Sequence, residues 1–195
     1  MNDIIGTIKL VLSEPTTCWS KLSKKTVNDA LLYLVVIMAA YGVLAVLMMT
    51  LWAGPLGAGI GIVGVLGSLV FGLVMSRVLG SLVFGLVMSL VAAWLYNVII
   101  GFLGVKGEFK DAFRALAYGA TPGMLLGWIP FIGILGSLWS LVLQVIGLKD
   151  LYGTDFVKVI IALVIEIVIF GVLSMILMMV FGAAFMGMLF AAGQA

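Results

Sequence analysis

Glu166 is the acidic side chain placed deepest in an apolar run. It stands eight residues beyond Lys158, and the 29 residues after it carry no charge. A carboxyl at membrane depth is suited to relaying protons or holding a cation, because its charge is costly there unless something compensates it. Asn97, Gln144 and Tyr96 lie in other apolar stretches, where hydrogen bonding could instead make Glu166 a purely structural contact. Pro122 is the second candidate. A proline removes one backbone donor and opposes one carbonyl, and broken helices line substrate sites in transporters as well as ordinary packed interiors. Around it, Gly119, Gly123 and Gly127 recur at intervals of four, a spacing that lets helix backbones approach closely. Pro130 marks a second break within Trp128–Gly133.

A third group alternates charge with aromatic rings: Lys106, Phe109, Lys110, Phe113 and Arg114. The phenylalanines fall at helical spacing. Two readings follow, a juxtamembrane helix dipping its rings into the interface, or a docking surface for a protein partner or anionic lipid. Nucleophilic catalysis finds no support. Cys18 is the single cysteine and the chain has no histidine to serve as its base. Neither a G-x-S-x-G elbow nor a phosphate-binding G-x-x-x-x-G-K-[ST] loop occurs. No metal site or cofactor is expected.

The elements that must position these residues follow from composition. Of 195 residues, 65% are hydrophobic and 9% charged, with a net charge of +2. Soluble domains carry about 25% charged residues, so the class is a polytopic membrane protein. A charge this small also argues against nucleic acid as a partner. Uncharged runs cover Ala30–Ser76, Val78–Val105, Ala115–Leu148 and everything after Glu166. A crossing helix needs about 20 apolar residues. The first span is expected at Leu31–Leu51, ended by Gly54-Pro55, and the last at Val157–Phe181. The Ala115–Leu148 run divides at Trp128–Gly133 into two segments of about 16 residues. Either both cross or together they form a re-entrant hairpin.

Between them, the twelve residues Val65–Ser76 recur as Val78–Ser89. An offset of 13 rotates a helix to nearly the opposite face, which suits a slippage duplication better than a designed repeat. A helix over Leu66–Leu103 would be about 57 Å long. The first copy must then protrude, kink near Arg77–Gly80, or lie at the outer interface. Counting basic residues gives the orientation. Five segments place Lys9, Lys21, Lys24, Lys25, Lys106, Lys110, Arg114, Lys149 and Lys158 on one face, with Arg77 opposite. The expected fold is an all-α, polytopic membrane helix bundle of five transmembrane segments, N-terminus cytoplasmic and C-terminus outside. Residues 1–29 form a cytoplasmic interfacial segment and 30–195 the transmembrane domain. Asp3–Ser13 should be a short interfacial helix capped by Asp3, with Trp19 at headgroup level.

GEFKDAFRALAYGATP over Gly107–Pro122 resembles a signature block of the Yip domain family of Ypt/Rab-interacting-type membrane proteins. The stretches Gly127–Gly133 and Leu138–Lys149 are similar to that family's closing segments, as is Glu14-Pro15 with Trp19 and Leu22 to its N-terminal element. The resemblance runs through most of Pro15–Val180. It implies five membrane helices, a cytoplasmic N-terminus and a non-enzymatic role; eukaryotic members act in trafficking and membrane shaping. With about 29 residues before its first span and no D-L-x-G-P pattern, the chain resembles a short prokaryotic-type member in a plasma membrane. The leading expectation is a non-catalytic protein organising the bilayer or partner proteins. Its candidate partners are the lipid bilayer, a protein at the cytoplasmic face and a second copy of the chain. The alternative is a small permease or channel using Glu166 and the Pro122 break.

Overall fold

The computed structural model describes residues 3–57, 63–129 and 131–192, with side chains placed for all of these except 49–57, 63–79, 81, 181 and 183–192. Every regular element among them is helical: α1 (Ile4–Ser13), α2 (Trp19–Leu22), α3 (Val27–Gly57), α4 (Val63–Phe102), α5 (Phe109–Gly119), α6 (Thr121–Leu126), α7 (Ile132–Tyr152) and α8 (Phe156–Ala192). Among the residues whose side chains are described, four stretches are long and apolar enough to cross a bilayer: Val27–Met48, Leu82–Phe102, Ile132–Tyr152 and Phe156–Val180. Their outward faces are apolar too, with Val164, Ile167 and Val168 each more than half exposed. Such faces are a liability in water and need lipid as their solvent.

The short loops fix one end of the bundle. Tyr152, at the end of α7, donates from its hydroxyl to Asn97 Oδ1 of α4 at 2.8 Å, with the Glu108 carbonyl 3.3 Å away. Lys149 lies 4.9 Å over the Phe156 ring that opens α8. The C-terminal ends of α4 and α7 therefore meet the N-terminal ends of α5 and α8, and the basic residues of these loops gather there. Pairing of α5–α6 with α7 is antiparallel, since Gly119 faces Gln144 while Gly123 faces Ser140.

Several boundaries differ from those the sequence suggests. Helix α3 continues through Gly54-Pro55 to Gly57; one proline costs a single backbone bond, and an apolar segment in lipid has no better place for its other amides than the helix. Helix α7 has 21 residues rather than about 16. It runs past Lys149 because that lysine pairs with Asp150 at 3.4 Å, and it stops where Gly153 turns left-handed at φ 59°. Helix α4 is continuous over 40 residues with no interruption at Arg77–Gly80. The second copy contributes Leu82–Ser89 to an apolar stretch, Leu82–Phe102, long enough to cross; the side chains of the first copy, Val65–Ser76, lie outside the described residues. The Arg77 side chain, expected opposite Lys106, lies outside the described residues, as does Pro130. Helix α8 extends to Ala192.

Asp3 caps α1, its carboxylate accepting from the Gly6 amide at 2.8 Å. Trp19, expected at headgroup level, packs into the protein interior. It is 1% exposed, its indole N–H donating to the Pro15 carbonyl at 2.9 Å and its ring packed against the bare backbone of Gly147. Glycine is what permits this, since a Cβ there would stand 2.6–2.8 Å from the ring carbons. Val11, Cys18, Trp19 and Leu22 thereby join one core with Tyr96, Phe113 and Leu148. The expected boundary after residue 29 falls inside α3.

Candidate functional site

The α5–α6 break is built from four residues. Pro122 has no N–H to offer the Tyr118 carbonyl one turn earlier. That carbonyl accepts instead from the Thr121 hydroxyl. Having one proton to give, Thr121 must then accept from Tyr33 of α3, whose hydroxyl lies 2.8 Å away. Tyr33 is also held by the Tyr118 ring, with centroids 4.9 Å apart. The carbonyl opened by the proline is thus sealed by a buried chain, Tyr33 to Thr121 to Tyr118, rather than left to water.

Helix α7 covers the break from the other side. Gly119 touches the Gln144 backbone, and the Gly123 amide donates to Ser140 Oγ at 2.7 Å. A Cβ on Gly136 would lie 2.8 Å from the Pro122 carbonyl. Gly127 approaches the Tyr41 ring of α3. The three glycines at intervals of four therefore all lie where backbones or rings approach most closely.

Glu166 is 6% exposed and lines a partly open cavity of about 420 Å³ formed by α3, α4, α5–α6, α7 and α8. Gln144 and Ser89 line the same cavity, together with Ala120 at the break. Glu166 has no hydrogen-bond or ion-pair partner among the described residues. Gln144 is therefore brought to Glu166, whereas Asn97 is not; it is engaged by Tyr152 near the loops. Tyr96 lies within electrostatic reach of Glu166, and its hydroxyl is unpartnered among the described residues.

The Lys106–Arg114 group divides. Phe113 is fully enclosed, and Arg114 is buried with its guanidinium 3.3 Å from Asp111. Neither presents itself to a partner. Phe113 instead belongs to the core, with Phe109 of the same helix stacked on it at 5.9 Å. Lys106 is exposed, while Lys110 reaches Glu108 at 2.8 Å on the surface. Among the described residues no three His, Cys, Asp or Glu side chains converge to hold a metal ion.

Tyr33, Tyr118, Thr121, Ser140 and Tyr152 carry much of this polar interior and are not singled out by residue type alone. The threonine directly before a buried proline between two helices is the signal that could have found the first three, because that hydroxyl is the nearest replacement donor for the carbonyl the proline strands.

No curated protein and no solved structure matches the chain. A family model described as the Yip1 domain matches residues 9–178, which takes in α2 to α7 whole, half of α1 and most of the Phe156–Val180 stretch of α8. Together with its four apolar crossing stretches, this match shows that the chain is a multi-pass membrane protein belonging to the Yip1 domain family.

Proposed function

We propose that the protein is a non-catalytic organiser of the lipid bilayer, acting from the cytoplasmic face of a prokaryotic plasma membrane. On this reading α5–α6 is the fifth crossing, and nine basic residues hold the N-terminus inside. The observation that carries the reading is the seating of α1. Its inner side is tied down: Val11 is fully buried, Thr7 accepts from Lys25 Nζ at 2.8 Å, and Trp19 locks the following turn onto α7. Its outer side leaves Ile5 74% and Leu12 42% exposed, with Lys9 beside them. An amphipathic helix clamped to a bundle at one interface adds area to one leaflet only, which favours curvature. The sealed Pro122 break supports the same reading over a permease, because its freed carbonyl is not available to a solute.

Reconstitution into liposomes tests this. Wild type should tubulate or shrink vesicles, and I5D combined with L12D should abolish the effect with equal incorporation. Solute or proton flux that disappears in E166Q, with no change of vesicle shape in wild type, would replace this reading with the permease.

A further inference from the structure

We propose that the cavity at Glu166 is a binding site for a single-chain cationic amphiphile taken up from the bilayer, its ammonium group paired with the Glu166 carboxylate and its tail lying between α7 and α8.

Three observations lead there. The first is depth. Ser89, Gln144 and Glu166 come from three different helices, yet lie 13, eight and ten residues in from the loop-proximal residues Phe102, Tyr152 and Phe156. At 1.5 Å per residue that is roughly 12–20 Å, the middle of a hydrocarbon core about 30 Å thick. Polar side chains converging at that depth from separate helices are costly unless they serve one another or a ligand. They do not satisfy Glu166, which is more than nine-tenths buried and has no hydrogen-bond or ion-pair partner among the described residues.

The second is sign. Among the described residues no basic side chain lines the cavity, and the groups besides Glu166 that could contribute polarity are an amide, a hydroxyl and the nearby phenol of Tyr96. The site is therefore complementary to a cation. With one carboxylate it lacks the six or so oxygens a hard metal ion takes, whereas an alkylammonium needs one counter-charge and apolar surroundings. The third is the route. A wholly apolar groove of about 490 Å³ between α7 and α8 shares Leu141, Leu163 and Ile167 with the cavity. Ile167 is 59% exposed on the outer face, so a chain lying in this groove reaches from the lipid to Glu166. A phospholipid headgroup would not suit, since its phosphate would be carried to the same depth and meet the carboxylate.

Carbodiimide labelling of the wild-type protein tests the proposal without a variant. In nanodiscs of phosphatidylglycerol, N,N′-dicyclohexylcarbodiimide should modify Glu166, detected by mass spectrometry. Octyltrimethylammonium should slow that modification at least tenfold, and octanol at the same membrane concentration should not. Equal protection by octanol would mean that the cavity takes an apolar chain without regard to charge, which overturns the proposal. Absence of labelling, or labelling unaffected by the cation, does so as well. So would full protection in phosphatidylcholine nanodiscs alone, since the occupant would then be a lipid headgroup. Direct binding gives the second readout: saturable octyltrimethylammonium binding should fall at least tenfold in E166Q and be retained in E166D. None of these readouts depends on vesicle shape, so they stand or fall separately from bilayer organisation.

Discussion

Tyr33 and Thr121 stand 88 positions apart in the chain and share a buried hydrogen bond of 2.8 Å. The bond joins the first crossing helix to the break in α5–α6, and its direction is forced, because the only threonine proton is already given to the Tyr118 carbonyl. This makes a buried proline compatible with a closed interior.

The two ends of that chain should differ in cost. Y33F removes one donor and leaves the bond from Thr121 to Tyr118 in place, so a loss of about 0.5–1.5 kcal/mol is expected. T121V strands both the Tyr118 carbonyl and the Tyr33 hydroxyl, and about 1–3 kcal/mol is expected for each buried group left unpaired. Unfolding in mixed micelles should therefore rank T121V well below Y33F. The reverse order would mean that the break is not sealed by this chain.

Glycines should sort by what their missing Cβ would meet. G136A pushes a methyl against the Pro122 carbonyl and the Leu126 side chain, both within 3 Å. Relief requires separating α6 from α7, with about 1–3 kcal/mol lost. At Gly101 nothing lies within 4 Å and the residue is helical, so G101A should be neutral or gain about 0.5–1 kcal/mol from helix propensity. Thermal stability of the two variants in the same detergent measures the contrast.

The pattern of crossing stretches was legible because lipid leaves the chain few choices. A run such as Val157–Phe181 can satisfy its amides only as a helix, so composition alone places it. Local chemistry was readable where donor and acceptor are neighbours, as with Asp3 and the Gly6 amide. Partners distant in sequence were not. Nothing in the residues around Trp19 announces that Gly147 offers bare backbone, and an aromatic near a membrane end is as well suited to headgroups as to a core. Phe113 and Arg114 misled for a related reason. Their alternation with lysines describes a surface helix, but α5 is enclosed by α3, α4 and α7, and Asp111 neutralises the arginine locally. At Glu166 the sequence supplied the residue and Gln144 as a neighbour, while the cavity and Ser89 needed the helices to be set side by side.

Cys18 should be a poor thiol until Trp19 is dislodged. It is fully buried, and that burial pushes its pKa up to about 11. Thiolate is the reactive form, so maleimide labelling of the folded protein should keep rising with pH up to about 11 instead of levelling near 9, and at neutral pH should trail the unfolded chain at least tenfold. G147A, which drives a Cβ into the Trp19 ring, should restore fast labelling. Equal rates for folded and unfolded wild type would show that the N-terminal segment is not seated on α7.

The carboxylates at the start of α5 should separate structure from surface. Asp111 lies 3.3 Å from an arginine whose side chain is 9% exposed and whose Nε already lacks a partner among the described residues. D111A would leave that cation buried and uncompensated, a class of change that costs about 3–5 kcal/mol. Glu108 pairs with Lys110 where both are open to solvent, 67% and 42% exposed. For E108A a loss within about 1 kcal/mol is expected, and less at high salt. Replacing both members of the inner pair, D111L with R114M, should recover much of what D111A loses, because no charge then remains to be solvated. If D111A and E108A proved equally mild, Arg114 would have to find water or lipid phosphate instead of Asp111, and α5 would sit nearer the surface than the burial of its own Phe113 and Tyr118 indicates.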